Sequence, residues 1–191
     1  KYKNYLLLIA SLIFYAWGEA CYIWLLGLSI LGNYFFGLGI SRFPRTKKIK
    51  LFAALVFNLS LLLYFKYANF LAQNLVEIVK FFAPESGFTV AKSLLPQRLP
   101  IGISFFTFHA ISYLIDIYRG KCKAQKNLLE LALYIAFFPQ LIAGPIVRYN
   151  TIEKYLSKRR HSLNAASYGI RRFIIGLGKK VIIANPLGEV A

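Results

Sequence analysis

The chain has 191 residues, 58% of them hydrophobic, and carries 24 lysines and arginines against 7 aspartates and glutamates, a net charge of +17. A mean hydropathy of +0.53 excludes an ordinary soluble domain, and cations that fall in short bursts between apolar runs argue for membrane orientation over nucleic-acid binding. Two cysteines build no disulfide framework, and with no methionine the sequence is expected to belong to a longer membrane protein.

Residues 5–17 are apolar, end at Gly18 and Glu19, and lack a small-residue cleavage site, so they read as a short span and not a leader. Tyr15, Trp17, Tyr22 and Trp24 bracket the turn; such rings favour the headgroup level. Residues 22–40 form a clean span in which Gly27, Gly32, Gly37 and Gly39 permit close helix approach. Arg42, Arg45, Lys47, Lys48 and Lys50 then mark a cytoplasmic loop. Residues 51–68 cross back, with Asn58 and Ser60 inside and Lys66 snorkelling at the end. Over 69–84, apolar residues at helical spacing mix with Gln73, Asn74, Glu77 and Lys80, the pattern of an amphipathic helix lying at the far interface. A polar loop follows over 85–97. Residues 99–118 span again, with Pro100 suited to the first helical turn. Arg119, Lys121, Lys123 and Lys126 make the next loop cytoplasmic, with Cys122 a free thiol among them.

At 128–147 the alternation breaks. The segment is apolar enough to cross, yet Arg148, Lys154, Lys158, Arg159 and Arg160 follow it, and a full crossing would put them outside. Pro139 and the pair Gly144 and Pro145 interrupt helical hydrogen bonding. A re-entrant or broken segment resolves the conflict. Such backbone survives at membrane depth only inside protein or beside a wet cavity, so 137–148 points to the functional cavity. Residues 165–184 read as an interfacial helix: Arg171, Arg172, Lys179 and Lys180 fall on one arc, Ile170, Ile174, Leu177 and Val181 largely opposite. The fold class is therefore all-α: a multi-span helical membrane protein with a broken segment and interfacial amphipathic helices.

His109 and Asp116 are seven residues apart and share a helix face with Ser112 and Tyr113. Ionisable groups in spans usually face the bundle interior or water, which makes these residues candidates for the polar wall of a substrate path. The plainer reading has His109 bonded to a backbone carbonyl and Asp116 paired with Arg119 at the interface. His109 has no Ser, Cys or second His nearby to form a nucleophile–base pair. His161, in a basic run, reads as a solvated face, and no Cys/His spacing fits a metal.

LPIGISFFTFHAISYLIDIYR at 99–119 and FFPQLIAGPIVRY at 137–149 resemble the membrane-bound O-acyltransferases, in particular the bacterial branch that acetylates exported polysaccharides such as alginate. SLIFYAWGEACYIWLLGLSILGNYFFG at 11–37 and RRFIIGLGKKVIIAN at 171–185 fit the same branch, as the N-terminal portion of such a protein. The resemblance implies a multi-pass protein of the bacterial inner membrane with a tunnel through it. It implies O-acyl transfer, here of acetyl, from a donor thioester (acetyl-CoA or an acyl carrier) as substrate, with no bound cofactor. It also implies hand-over to an extracytoplasmic acetyltransferase partner acting on the polysaccharide, with membrane lipid around the protein. The family histidine is expected after residue 191, so the catalytic role does not pass to His109 and the chain alone is expected to be inactive. His109, Asp116, Gln140 and Arg148 are the candidates for lining the tunnel or holding the donor, Arg148 because its guanidinium suits phosphate. The alternative is a transporter or export-channel subunit with no covalent chemistry.

Overall fold

No glycine or proline interrupts the sequence between Lys47 and Phe82, and helix propagation, once nucleated, runs until such a residue stops it. In the computed structural model this stretch is one continuous helix, α3 (Lys47–Phe82), of 36 residues. It is about 54 Å long at 1.5 Å per residue. The separate interfacial helix expected over 69–84 is thus the continuation of α3. Its polar residues decorate one long rod and mark no break.

The structure describes residues 2–83, 89–90, 96, 98–141, 146–157 and 162–190. The expected polar loop over 85–97 lies mostly outside them. So do the pair Gly144 and Pro145, the basic run at 158–160, and His161. The described residues are helical with no strand. Two units are distinguished, Lys1–Leu156 and Ser157–Ala191.

In the first unit α1 (Tyr2–Glu19) and α2 (Ile23–Arg42) are joined by a single 3-10 turn, Ala20–Tyr22. Two stretches, Tyr2–Arg42 and Pro44–Phe82, are long and apolar enough to cross a membrane by length and composition. Their side chains sort into inner and outer stripes. On α1, Leu8, Ser11 and Tyr15 are buried while Leu6, Ile9, Ile13 and Trp17 face outward. On α3, Ala54, Asn58 and Leu62 are buried while Phe52, Val56, Leu59 and Leu63 face outward. An apolar outer face of this extent suits hydrocarbon and not water.

The shorter apolar helix α4 (Ile103–Tyr118) packs against α2 and α3. Its approach to α2 depends on glycine: a Cβ on Gly37 would stand 3.0 Å from the Tyr113 ring. Gly32 plays the same part beneath Phe57, at 2.7 Å, whereas Gly27 faces open space. Pro100 is not in the first turn of α4. It opens a tight turn before the helix, in which Ile103 N–H donates to the Pro100 carbonyl at 3.2 Å. Gly102 takes the left-handed conformation there, at φ 75°.

α5 (Leu128–Ala136) begins at Asn127, whose side chain accepts from Leu129 N–H at 3.0 Å. The run from Leu131 to Ala136 is buried on every side, so α5 is enclosed by protein. It stops at Phe137, in extended backbone at ψ 113°, two residues before Pro139. A four-residue helix, α6 (Phe138–Leu141), and α7 (Tyr149–Ser157) follow. The segment is therefore broken and not a straight rod.

In the second unit α8 (Leu163–Gly178) starts at Ser162, whose hydroxyl accepts from Ala165 N–H at 3.2 Å. A π-helical turn, Lys179–Ala184, and α9 (Asn185–Val190) continue it. Ile170, Ile174, Leu177 and Val181, the expected apolar stripe, are exposed within this unit.

Candidate functional site

The break after α5 brings three tyrosines and a histidine together. Tyr149, at the start of α7, lies edge-on to Tyr113 of α4 at 5.0 Å and to Tyr134 of α5 at 5.2 Å. His109 of α4 meets the other side of Tyr134, with ring centres 5.7 Å apart. Edge-to-face contacts of this kind stabilise by about 0.5–1.5 kcal/mol each beyond the area they bury. All four side chains are buried.

Hydrogen bonds tie this cluster to the loop after α4. Gln125 N–H donates to the Tyr113 hydroxyl at 2.9 Å. Its side-chain amide donates to the Tyr149 hydroxyl at 2.9 Å and to Glu130 at 2.7 Å. Its carbonyl accepts from Asn127 N–H at 3.0 Å. One glutamine thus joins α4, α5 and α7. Sequence reasoning passed over Gln125 and Tyr149, because an isolated polar residue in a basic loop carries no periodic signal; the run of tyrosines at 113, 134 and 149 was the available hint.

Gln140 is nearly buried and donates to the Tyr134 carbonyl at 2.8 Å, one of the carbonyls left without an intrahelical partner where α5 stops. The Tyr134 hydroxyl donates across the break to the Val147 carbonyl at 2.8 Å. On the α1 side, Phe138 N–H donates to the Ser11 hydroxyl at 3.3 Å, and that hydroxyl donates to the Leu7 carbonyl. Each freed backbone group named here therefore finds a side chain, which irregular backbone needs if it is to lie at membrane depth.

His109 and Asp116 behave differently. His109 is fully buried, and among the described residues neither ring nitrogen makes a full hydrogen bond, the Phe105 carbonyl one turn back being its backbone neighbour. Asp116 is buried too, and its Oδ2 is unsatisfied; it makes no pair with Arg119. A buried polar atom without a partner costs about 1–3 kcal/mol. The plainer pairing of Asp116 with Arg119 is therefore not found among the described residues. Arg148 is exposed, beside Tyr149 in sequence. The four candidates thus divide: His109 and Gln140 both touch Tyr134, Asp116 lies about two turns further along α4, and Arg148 is exposed. Among the described residues, no three His, Cys, Asp or Glu side chains come together in a way that could hold a metal.

Compared with curated proteins, the chain is 41% identical to the probable alginate O-acetylase AlgI of Pseudomonas aeruginosa over 194 aligned positions. That match covers 100% of this chain and 36% of the other. It is 42% identical to the protein of the same name from Pseudomonas putida, covering 39% of it. It is 35% identical to the peptidoglycan O-acetyltransferase of Helicobacter pylori, over 97% of this chain and 39% of that one. Over its whole length the chain is thus a relative of the bacterial O-acetylating branch of the membrane-bound O-acyltransferases. Its match falls on the N-terminal part of the alginate O-acetylases, and it spans under two fifths of their length. Relatives in this family that are named as transferases do not favour the transporter alternative. No family model matches the chain, and no solved structure does.

Cys122, in the loop beside the cluster, is half-buried, and burial pushes its thiol from 9.0 up to about 12, with Asp116 and Glu153 further opposing the thiolate. Maleimide at neutral pH should therefore label exposed Cys21 and leave Cys122 unmodified, the reactive species being the thiolate. Raising the pH adds a linkage effect. Between 9.0 and about 12 the folded chain keeps a proton that the unfolded chain has lost, so stability falls as pH rises through that window. Mass-spectrometric counting of adducts against pH checks this; rapid labelling of Cys122 at pH 7 would contradict it.

Proposed function

We propose that this chain serves in the O-acetylation of an exported polysaccharide such as alginate, within a multi-pass protein of the bacterial inner membrane. The observation that carries the reading is relatedness over the whole chain to proteins named as alginate O-acetylases. The donor is a thioester, acetyl-CoA or an acyl carrier, and the acetyl group passes to an extracytoplasmic acetyltransferase partner. In the step itself the acceptor hydroxyl gives its proton to the family histidine, expected after residue 191. Its oxygen bonds the acetyl carbon, the C–S bond breaks, and the thiolate leaves with the electron pair and is protonated.

The residues of this chain form wall, not base. The broken segment re-enters and returns to the cytoplasmic face. Its enclosure and its side-chain-capped carbonyls support that placement. His109 and Asp116, with bonding capacity unspent, line the path. Gln140 acts by holding the break in shape. Exposed Arg148 holds donor phosphate.

Arg148→Ala in the full-length protein should lower polysaccharide acetylation about tenfold, the equivalent of about 1.4 kcal/mol of lost charged hydrogen bonding. Protein level, read by immunoblot, should not change. Full acetylation at an equal protein level would remove Arg148 from the donor site. Acetylation that survives deletion of the whole gene would remove the function.

A further inference from the structure

The 20 residues of α2 rise about 30 Å, the thickness of a bilayer's hydrocarbon core. Arg42 and the lysines after it therefore sit at one membrane surface and the α1–α2 turn at the other. That turn bounds a cavity of about 360 Å³, lined by Gly18, Glu19, Ala20, Cys21, Tyr22 and Arg98. Its size falls in the range of small-ligand sites, roughly 300–1,000 Å³. Two long-range bonds shape it. One Glu19 oxygen accepts from Ile101 N–H at 3.4 Å, and the Tyr22 hydroxyl donates to the Arg98 carbonyl at 3.2 Å.

Glu19 and Arg98 line the same cavity, yet among the described residues they do not pair with each other. Among the described residues the guanidinium meets no acceptor, and only one Glu19 oxygen is engaged, by Ile101 N–H. An opposite pair held apart in one cavity matches a ligand that carries both charges. Trp17 and Trp24, 91% and 58% exposed, flank the turn. Exposed tryptophans of this kind belong at the headgroup level.

We propose that this cavity binds the headgroup of a zwitterionic phospholipid with a primary ammonium, the phosphodiester on Arg98 and the ammonium on Glu19. Arg supplies parallel N–H donors to phosphate oxygens. The Glu19 carboxylate accepts an N–H, which a primary ammonium has and a quaternary one lacks. An anionic headgroup such as that of phosphatidylglycerol offers Arg98 the same phosphodiester but brings no cation to Glu19. The inference rests on the membrane placement of the helices and is independent of acyl transfer.

Native mass spectrometry of the full-length protein, offered equimolar phosphatidylethanolamine, phosphatidylcholine and phosphatidylglycerol, tests it. Phosphatidylethanolamine should be retained several-fold over the other two. Glu19→Gln keeps an acceptor for Ile101 and should bring phosphatidylethanolamine down to the level of phosphatidylcholine. Arg98→Gln should lose both. Ala20→Leu, filling the cavity from its wall, should abolish the preference without touching either charge. Arg45→Gln, at the other membrane surface, should change nothing. Equal retention of phosphatidylcholine, preferred retention of phosphatidylglycerol, or a preference that survives Glu19→Gln would each overturn the assignment. Circular dichroism of each variant checks that the helices are intact.

Discussion

Gly102→Ala should destabilise the folded chain by about 2–4 kcal/mol, more than a methyl added at any other glycine among the described residues. Two costs combine at this position. The residue sits at φ 75°, where a Cβ meets its own backbone. That new Cβ would also stand 2.5 Å from the Leu141 carbonyl oxygen, a backbone atom that cannot swing away. To accommodate it, the start of α4 and the end of α6 would have to separate. Because α6 is part of the break that Gln140 and Tyr134 hold closed, the damage should spread to the aromatic cluster. Gly120→Ala provides the control. Gly120 also has positive φ, 71°, but its Cβ would meet nothing within 4 Å. Strain alone should cost about 1 kcal/mol there. Thermal unfolding of both variants in the same detergent measures the difference. Equal losses would mean that the α4–α6 contact contributes nothing.

How far the sequence spoke for this fold depends on the range of each signal. Gly18 and Glu19, the burst of cations after Arg42, and Pro139 each act on the residues beside them, and each coincides with an end or break in the structure. Close approach at Gly32 and Gly37 was legible for the same reason. Polar residues at 73, 74, 77 and 80 suggest a boundary that α3 does not have, because no helix breaker accompanies them. Solvent preference decides where a helix lies, whereas glycine and proline decide where it stops. Pro100 shows the converse: proline at a helix start and proline one turn earlier look alike until Gly102 is recognised as left-handed. At the site, His109 and Asp116 stood out as charges in an apolar run. Gln125 did not, since its role consists of three partners from three separate elements. Contacts of that kind exist only once the chain is folded.

The buried pair between α2 and α3 gives the second large effect. Asn33 donates its amide to the Asn58 carbonyl at 3.0 Å, and Asn58 returns the bond at 2.7 Å. Both are essentially fully buried, and each amide also donates one turn back, to Ser29 and Ala54 respectively. Asn33→Ala or Asn58→Ala removes one partner and strands the other inside the bundle, at a cost of about 1–3 kcal/mol each. The double variant should cost less than the sum, with a coupling of about 1–2 kcal/mol, since both singles break the same two bonds. Replacing both by leucine should recover most of the stability, because no unsatisfied amide then remains. Additive losses would show that the two side chains act separately. The coupling also reaches the candidate site. α2 and α3 both pack on α4, and α4 carries His109, Tyr113 and Asp116. Register between the two long helices therefore sets where Gly37 meets Tyr113. The leucine pair, stable but without directional bonds, should fold yet acetylate less in the full-length protein. Stability returning while activity stays low is the result that separates holding the bundle together from holding it in one register.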